Sequence, residues 1–347
     1  MIREAIAHIA SGARLSTTEA AEAMEEIMTG SATPSQIGAF LTALRLRPGG
    51  ETVDEITGLA QVMREKAVQV HLNADFATRA LDTCGTGGDS AGTFNVSTAA
   101  GIVAAAAGAV VAKHGNRSAT SKCGSADVLE ALDYKIDLGP EQLAQSIEQT
   151  NFGFMFAPAY HPAMKYVGPT RREIGIRTVF NILGPLTNPA HTPYQVLGVA
   201  DISHLHKMGE VLLHMGTRHA LIVHGADGLD ECSLSAPTHI CEIRPGQELR
   251  EYTITPEEVG LTRISDARSI QGGDPAHNAS MLRELLSSYV AGPATEMICL
   301  NAGAALTACE ITSSIKEGIQ MASATLREGK ARLKLAEIIE SSQLLSK

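Results

Sequence analysis

The residues best suited to chemistry fall in four polar, glycine-rich stretches. The first is Asp82-Thr83-Cys84-Gly85-Thr86-Gly87-Gly88-Asp89, followed by Thr93-Phe94-Asn95-Val96-Ser97-Thr98. Glycines let a backbone approach a ligand closely, and a helix N-terminus offers unpaired N–H groups to an anion. Asn95, Ser97 and Thr98 add side-chain donors and oxygen ligands at that terminus. The stretch lacks both G-x-G-x-x-G and Gly-Lys-Ser/Thr, so it is neither a dinucleotide fingerprint nor a Walker loop. A plain N-capped turn is the bland alternative. The second stretch, Lys113-His114-Gly115-Asn116-Arg117-Ser118-Ala119-Thr120-Ser121-Lys122-Cys123-Gly124-Ser125-Ala126-Asp127, holds three cations, four hydroxyls and two glycines. Such a loop suits a polyphosphate, with a solvated polar loop as the bland alternative. The third, Val223-His224-Gly225-Ala226-Asp227-Gly228-Leu229-Asp230-Glu231, carries adjacent carboxylates. These could hold Mg²⁺, which prefers oxygen ligands and bridges to substrate phosphates, or form an acidic turn without metal. The fourth runs from His161-Pro162 through Arg171-Arg172-Glu173 to Asn181-Ile182-Leu183-Gly184-Pro185-Leu186-Thr187-Asn188-Pro189. Arg171 could grip a carboxylate bidentately, with a surface salt bridge as the alternative.

Elements that could hold these stretches in place follow from periodicity. Residues 1–70 read as four short helices. Ser16 and Glu19 form a capping box, Thr33-Pro34 is an N-cap followed by proline, and Thr52 and Glu55 form a second box. From Arg79 onward, short apolar runs alternate with helical periods: Ala80-Leu81, Ala109 to Ala112, Phe152 to Phe156, Val196 to Val199 and Ala220 to Val223. That rhythm predicts a largely parallel sheet with helices on both faces. The first two stretches then follow adjacent strands, where open α/β sheets place ligands. Residues 236–266 break the rhythm and read as strands and turns. Helices are predicted near 276–289, 293–308 and 312–341. The expected fold class is α/β, with a small all-helical domain over 1–71 beside a larger α/β domain with a mostly parallel central sheet.

Composition narrows the classes. The 347 residues contain 28 basic and 38 acidic side chains, a formal net charge of −10, with no Trp, six Tyr and seven Phe. Phosphate-backbone binding needs a basic face, which the acidic balance opposes, and single-stranded bases need stacking platforms, of which the scarce aromatics leave few. The apolar run from Ala99 to Ala112 is broken by Gly101 and Gly108 and falls short of the ~20 residues of a membrane span. The start Met1-Ile2-Arg3-Glu4 leads into a helical pattern without an apolar signal region, and the six cysteines (84, 123, 232, 241, 299, 309) show no C-x-x-C pair. Free thiols in a reducing cytoplasm are expected.

Together these residues resemble the anthranilate phosphoribosyltransferases, over essentially the whole chain. The resemblance rests on Gly-Thr-Gly-Gly-Asp, Asn-Val-Ser-Thr, Lys-His-Gly-Asn-Arg-Ser, Arg-Thr-Val-Phe-Asn, Gly-Pro-Leu-Thr-Asn-Pro and Asp-Gly-Leu-Asp-Glu, in that order. Lys-His-Gly-Asn-Arg-Ser with the downstream Asp-Glu is the specific part; Cys123 stands where the family loop would have Ser. The resemblance implies transfer of the phosphoribosyl group of 5-phosphoribosyl diphosphate (PRPP) to the amine of anthranilate, in tryptophan biosynthesis. It implies donor contacts from Gly85, Gly88, Asp89, Thr93, Asn95, Ser97, Thr98, Lys113 and Ser125. Val96, Gly115, Arg117, Ser118, Ala119, Thr120 and Ser121 complete the substrate-binding set. Ser97, Asp230 and Glu231 would hold Mg²⁺, two ions per subunit, while Asn116 and Arg171 would receive anthranilate with His114 close by. No residue is expected to act as an acid or base, because an aromatic amine is already neutral at pH 7. The resemblance further implies a cytoplasmic homodimer, a helical domain completed by residues 164–188, and an α/β domain built from 72–163 and 189–347. No nucleic-acid or membrane partner is expected. The rival enzyme class, a pyrimidine nucleoside phosphorylase, would use phosphate as nucleophile and would not need Lys-His-Gly-Asn-Arg-Ser beside an acidic pair. A non-enzymatic nucleic-acid binder of the same fold is the other rival, and the −10 charge opposes it.

Overall fold

The protein is described here from a computed structural model, covering residues 1–118, 121–287 and 289–346. Four helices open the chain: α1 (Ile2–Ala10), α2 (Thr17–Met28), α3 (Pro34–Leu46) and α4 (Val53–Glu65). Each of α2, α3 and α4 begins on a complete capping box, Ser16 with Glu19, Thr33 with Gln36 and Thr52 with Glu55. A cap of this kind contributes about 1 kcal/mol, so these starts are set locally. The packing of the four is set by a buried ion pair. Glu55 accepts from Arg47 Nη1 (2.6 Å) and Nη2 (2.5 Å), from the Leu15 amide (2.9 Å) and from the Thr52 amide (2.8 Å). Burial opposes its ionisation, but the Arg47 and amide hydrogen bonds outweigh it and hold its carboxyl below the usual range. One carboxylate thus ties the α1–α2 loop to the α3–α4 loop.

Seven strands follow: β1 (Ala80–Gly85), β2 (Val110–Gly115), β3 (Phe152–Phe156), β4 (Tyr194–Gly198), β5 (His219–Gly225), β6 (Thr238–Ile243) and β7 (Arg250–Ile254). They form one sheet in the order β3-β2-β1-β4-β5-β6-β7. The five strands β1–β5 pair in parallel, while β6 and β7 add antiparallel at one edge. The predicted rhythm therefore holds to β5, and the 236–266 segment supplies the hairpin. Period-two alternation divides the strands between two faces. Leu81, Val111, Val196 and Leu221 pack under the helices Val96–Ala106 and Pro293–Ala308. Leu197, Val199, Ala220 and Ile222 join a second core with α1–α4 and the helix Leu205–His214. Val167, Val179, Phe180, Ile182 and Leu183, more than a hundred residues after α4, complete that second core.

The C-terminal region corrects the predicted boundaries. The single helix expected over 312–341 is two, Ile315–Arg327 and Lys330–Leu345. Gly329 between them takes φ 71°, a left-handed conformation that ends one helix and turns the chain into the next. Among the described residues, no helix is long and apolar enough to cross a membrane.

Replacing Arg47 with Met should cost about 3–5 kcal/mol, because Glu55 would be left buried without its cation. Urea denaturation checks this: the midpoint should fall with the slope unchanged.

Candidate active site

The strand order reverses at β1, whose neighbours are β2 on one side and β4 on the other. The C-terminal ends of these strands open the crevice where such sheets place ligands. Gly85 ends β1 against the acidic turn that follows β5. Asp230 accepts the Gly87 N–H at 2.7 Å, and Glu231 accepts the Ser97 N–H at 3.1 Å at the start of the helix Val96–Ala106. This close approach requires missing side chains. A Cβ on Gly85 would overlap the Asp230 carboxylate, and one on Gly198 would overlap its backbone carbonyl. Asn301 fixes the turn by accepting the Cys232 N–H (2.9 Å) and donating to the Cys232 carbonyl (3.1 Å). Both carboxyls are pushed above their usual range, first by burial and then by like charge: Asp89 on Asp230, and Asp230 on Glu231.

Lys113, on β2, is buried and reaches across β1. Its Nζ donates to the Thr83 carbonyl and lies 3.3 Å from Ser97 Oγ. The first and third stretches are thereby drawn together with Lys113, while Asp89 accepts from the Ala91 N–H at 3.2 Å. Thr93 bridges to Gln271. Asn95 donates to the Cys123 carbonyl (3.1 Å) and accepts from Asn278 (2.9 Å), coupling the glycine loop to the second stretch. Val96 is buried, and Thr98 is buried with its hydroxyl unpartnered.

The second stretch leaves β2 at Gly115. The Asn116 carbonyl accepts from Ser125 Oγ at 3.2 Å, and Ser118 Oγ lies 2.7 Å from Ser121 Oγ. Arg117 is occupied by Asp127 (2.9 Å) and Glu130 (2.6 Å) and lies over the Phe156 ring. Ala119 and Thr120 lie outside the described residues. Arg171 sits on the short helix Gly168–Ile174, its guanidinium 5.3 Å from the Phe180 ring centroid. It forms no salt bridge with any described residue, so the ion-pair alternative is not realised. Nor does a hydrogen bond join it to the acidic cluster.

Several residues at the site carry no reading from sequence. Asp82, fully buried, accepts the His114 N–H (3.1 Å) and Asn188 Nδ2 (2.7 Å). Arg177 donates to the Gly87 and Gly88 carbonyls at 3.3 Å each. His161 Nε2 lies 3.2 Å from His114 Nε2, and His114 Nδ1 lies 3.2 Å from the Gly184 carbonyl. A carbonyl can only accept, so His114 carries its proton on Nδ1 and a lone pair on Nε2. The available signals were an Asp inside an apolar strand and an Arg and an Asn inside quoted motifs.

A glycosyl transferase family a/b-domain model matches residues 77–332, and the helical-bundle-domain model of the same family matches residues 3–67. Anthranilate phosphoribosyltransferase from Chloroflexus aggregans is 51% identical over 342 residues, 99% of this chain and 98% of the relative. The chain belongs to the anthranilate phosphoribosyltransferase family. The family member from Thermus thermophilus superposes with a TM-score of 0.91 at 42% identity, covering 98% of this chain and 99% of that one. The anthranilate phosphoribosyltransferase from Saccharomyces cerevisiae, solved in complex with PRPP and Mg, gives 0.90 at 28% identity, covering 99% and 98%.

The imidazoles yield a pH signature. Burial pushes His114 down to about 3, with His161 adding to the shift, and burial pushes His161 down to about 4. Both stay neutral in the folded state, whereas unfolded histidine takes a proton near pH 6.5. Stability is therefore present above about pH 6.5 and is lost as pH falls towards 4. Asp230 and Glu231, raised instead, act in the opposite sense. Thermal melts from pH 4 to 8 should show a shallower loss on the acid side for the His114→Asn/His161→Asn variant than for wild type.

Proposed function

We propose that this chain transfers the phosphoribosyl group of PRPP to the amine of anthranilate, releasing diphosphate, as a step of tryptophan biosynthesis. The observation that carries this reading is the acidic turn held against a glycine loop and a helix N-terminus, in a chain of this family. Pentosyl transfer must neutralise a departing diphosphate. Backbone N–H groups of the glycine loop and the Lys113 ammonium supply donors where that charge develops.

The residues present fit Mg²⁺. Asp230 and Glu231 are half-buried carboxylates raised by desolvation and then by like charge, a condition a divalent cation relieves, and Ser97 adds a hydroxyl oxygen. Among the described residues no group of three or more His, Cys, Asp or Glu is arranged to hold an ion. That agrees with Mg²⁺, which takes one or two carboxylates and completes its shell with water and phosphate oxygens. Bound there, it would offset the charge of the leaving diphosphate. In this reading Gly85, Gly88, Asp89, Thr93, Asn95, Ser97, Thr98, Lys113 and Ser125 serve the donor, and Val96, Gly115, Ser118 and Ser121 complete the substrate-binding set. Arg117 is already committed to two carboxylates, so it shapes the loop before it meets substrate. Asn116 and Arg171 receive the acceptor. Arg171 is half-buried with no carboxylate partner, and burial lowers its pKa; an acceptor carboxylate would pair it. His114, neutral and tautomerically fixed, presents an uncharged ring. No acid or base is needed, and catalysis rests on positioning, worth up to about 7–11 kcal/mol in favourable cases.

The same reading carries two Mg²⁺ per subunit, a homodimer formed through the helical domain and a cytoplasmic location. It also assigns a helical domain of 1–71 completed by 164–188, supported by Val167, Phe180 and Leu183 sharing the core of α1–α4. The remaining α/β domain spans 72–163 and 189–347.

Anthranilate fluorescence should decay only when PRPP and Mg²⁺ are both present; phosphorolysis of thymidine in their place would reverse the reading. Asp230→Asn with Glu231→Gln should lower turnover on the order of 10²–10³-fold, the scale of losing one charge-stabilising contact. Without Mg²⁺ this variant should melt no lower than wild type, since it removes two strained charges. Arg171→Ala should raise the KM for anthranilate roughly 10- to 150-fold, as for a charge-assisted contact of about 1.5–3 kcal/mol. Arg171→Lys should recover part of it, and Arg172→Ala should leave both KM values near wild type.

A further inference from the structure

Beside the glycine loop, whose Thr86 and Gly88 line it, lies a cavity of about 230 Å³. Its walls come from α3, from the segment leading into α4, from residues 177–182 and from the chain after β4. Arg45, Glu51, Arg177, Thr178, Asp201 and His204 supply its polar groups. None was given a role by sequence, and none belongs to the proposed metal or acceptor site.

The cavity carries unmet polar demand. Glu51 is 3% exposed, yet only its backbone carbonyl is engaged, accepting from Lys207 Nζ at 2.6 Å. No described residue hydrogen-bonds or ion-pairs with its carboxylate; the neighbouring Arg47 is taken by Glu55. Thr178 is 5% exposed with its hydroxyl unpartnered, and His204 Nδ1 is buried without a partner. A buried polar group costs free energy unless something hydrogen-bonds it. The same cavity is lined by two guanidiniums and by the Asp201 carboxylate, which already accepts the Ser203 N–H at 3.0 Å. Arg45 makes no salt bridge with a described residue, and Arg177 holds the Gly87 and Gly88 carbonyls through only two of its five N–H groups.

The signs select the occupant. An inorganic anion would suit the arginines and leave Glu51 buried and unpaired. A metal ion or simple amine would satisfy Glu51 and face two cations. A small zwitterion meets both, with its carboxylate on the guanidiniums and its ammonium on Glu51, and the volume is below that of drug-sized pockets. We propose that this cavity binds a free α-amino acid. Because Thr86 and Gly88 line the cavity and Arg177 holds the Gly87 and Gly88 carbonyls, the occupant would touch the glycine loop of the donor site directly.

Titration calorimetry on the full chain tests this with glycine, L-serine, L-phenylalanine and L-tryptophan, against acetate and methylammonium as half-ligands. Each titration is run with the enzyme alone and with anthranilate, Mg²⁺ and diphosphate present to fill the substrate sites. At least one amino acid should bind one per chain in the millimolar range or tighter, in both conditions. Acetate and methylammonium should bind at least about 10-fold more weakly, and Glu51→Gln and Arg45→Ala should each lose about 10-fold or more. Arg45 is exposed, so its variant keeps the test valid if Glu51→Gln fails to fold. Absence of binding by all four, acetate binding as tightly as the amino acids, or unchanged affinity in Arg45→Ala would each overturn the proposal. So would displacement by anthranilate and diphosphate, which would place the amino acids in the substrate site. The readout is binding, so it stands or falls separately from the transferase assay.

Discussion

The carboxylate of Asp82 is the contact on which the site geometry depends. It lies in the middle of β1, fully buried, and accepts one N–H from β2 and one from Asn188. Asn188 in turn donates to the Ala112 carbonyl at 2.8 Å. Three separate pieces of chain are therefore pinned at one point: the strand leading to the glycine loop, the strand carrying Lys113 and His114, and the segment returning from the helical unit. Burial raises the pKa of this carboxyl, with Lys113 as the largest opposing influence. Lys113, whose Nζ also lies 3.3 Å from Ser97 Oγ, thus helps keep the pin charged.

The acidic turn follows a different logic. Asp230 and Glu231 sit where isolated carboxylates are unfavourable, and the packing around them is shaped to keep them there. Gly85 and Gly198 clear the space, and Asn301 clamps the following residue. Every feature that destabilises the two charges raises their affinity for a cation. The site concentrates, at the junction of β1, β4 and β5, two carboxyls whose ionisation the fold opposes.

What could be read from sequence follows from how local each cause is. Capping boxes are decided within four residues, so Ser16, Thr33 and Thr52 mark helix starts correctly. Apolar runs bounded by glycine mark β1 to β5, because parallel strands are buried on both faces. The glycine loop, Lys113 and the Asp230–Glu231 pair come together because strand ends share one edge of the sheet. The pin between Asp82 and Asn188 spans 106 residues, and no local pattern encodes such a partnership. Arg117 reads as a phosphate ligand by charge alone, yet Asp127 and Glu130, ten and thirteen residues on, engage it. The boundary at Gly329 was hidden by apolar periodicity that continues on both sides of a residue able to reverse φ.

The discontinuous second core has a consequence for how the chain is made. The helices α1–α4 precede the sheet, α2, α3 and α4 each with its own capping box, but their shared apolar faces also pack on Val167 to Leu186 and on the outer side of β4 and β5. During synthesis these helices must wait for more than a hundred further residues before that surface is covered. Long-range closure of this kind slows folding and exposes apolar surface on the way. The helical bundle is therefore made well before the residues that finish it, a stretch of time in which a chaperone or a neighbouring nascent chain would find it open.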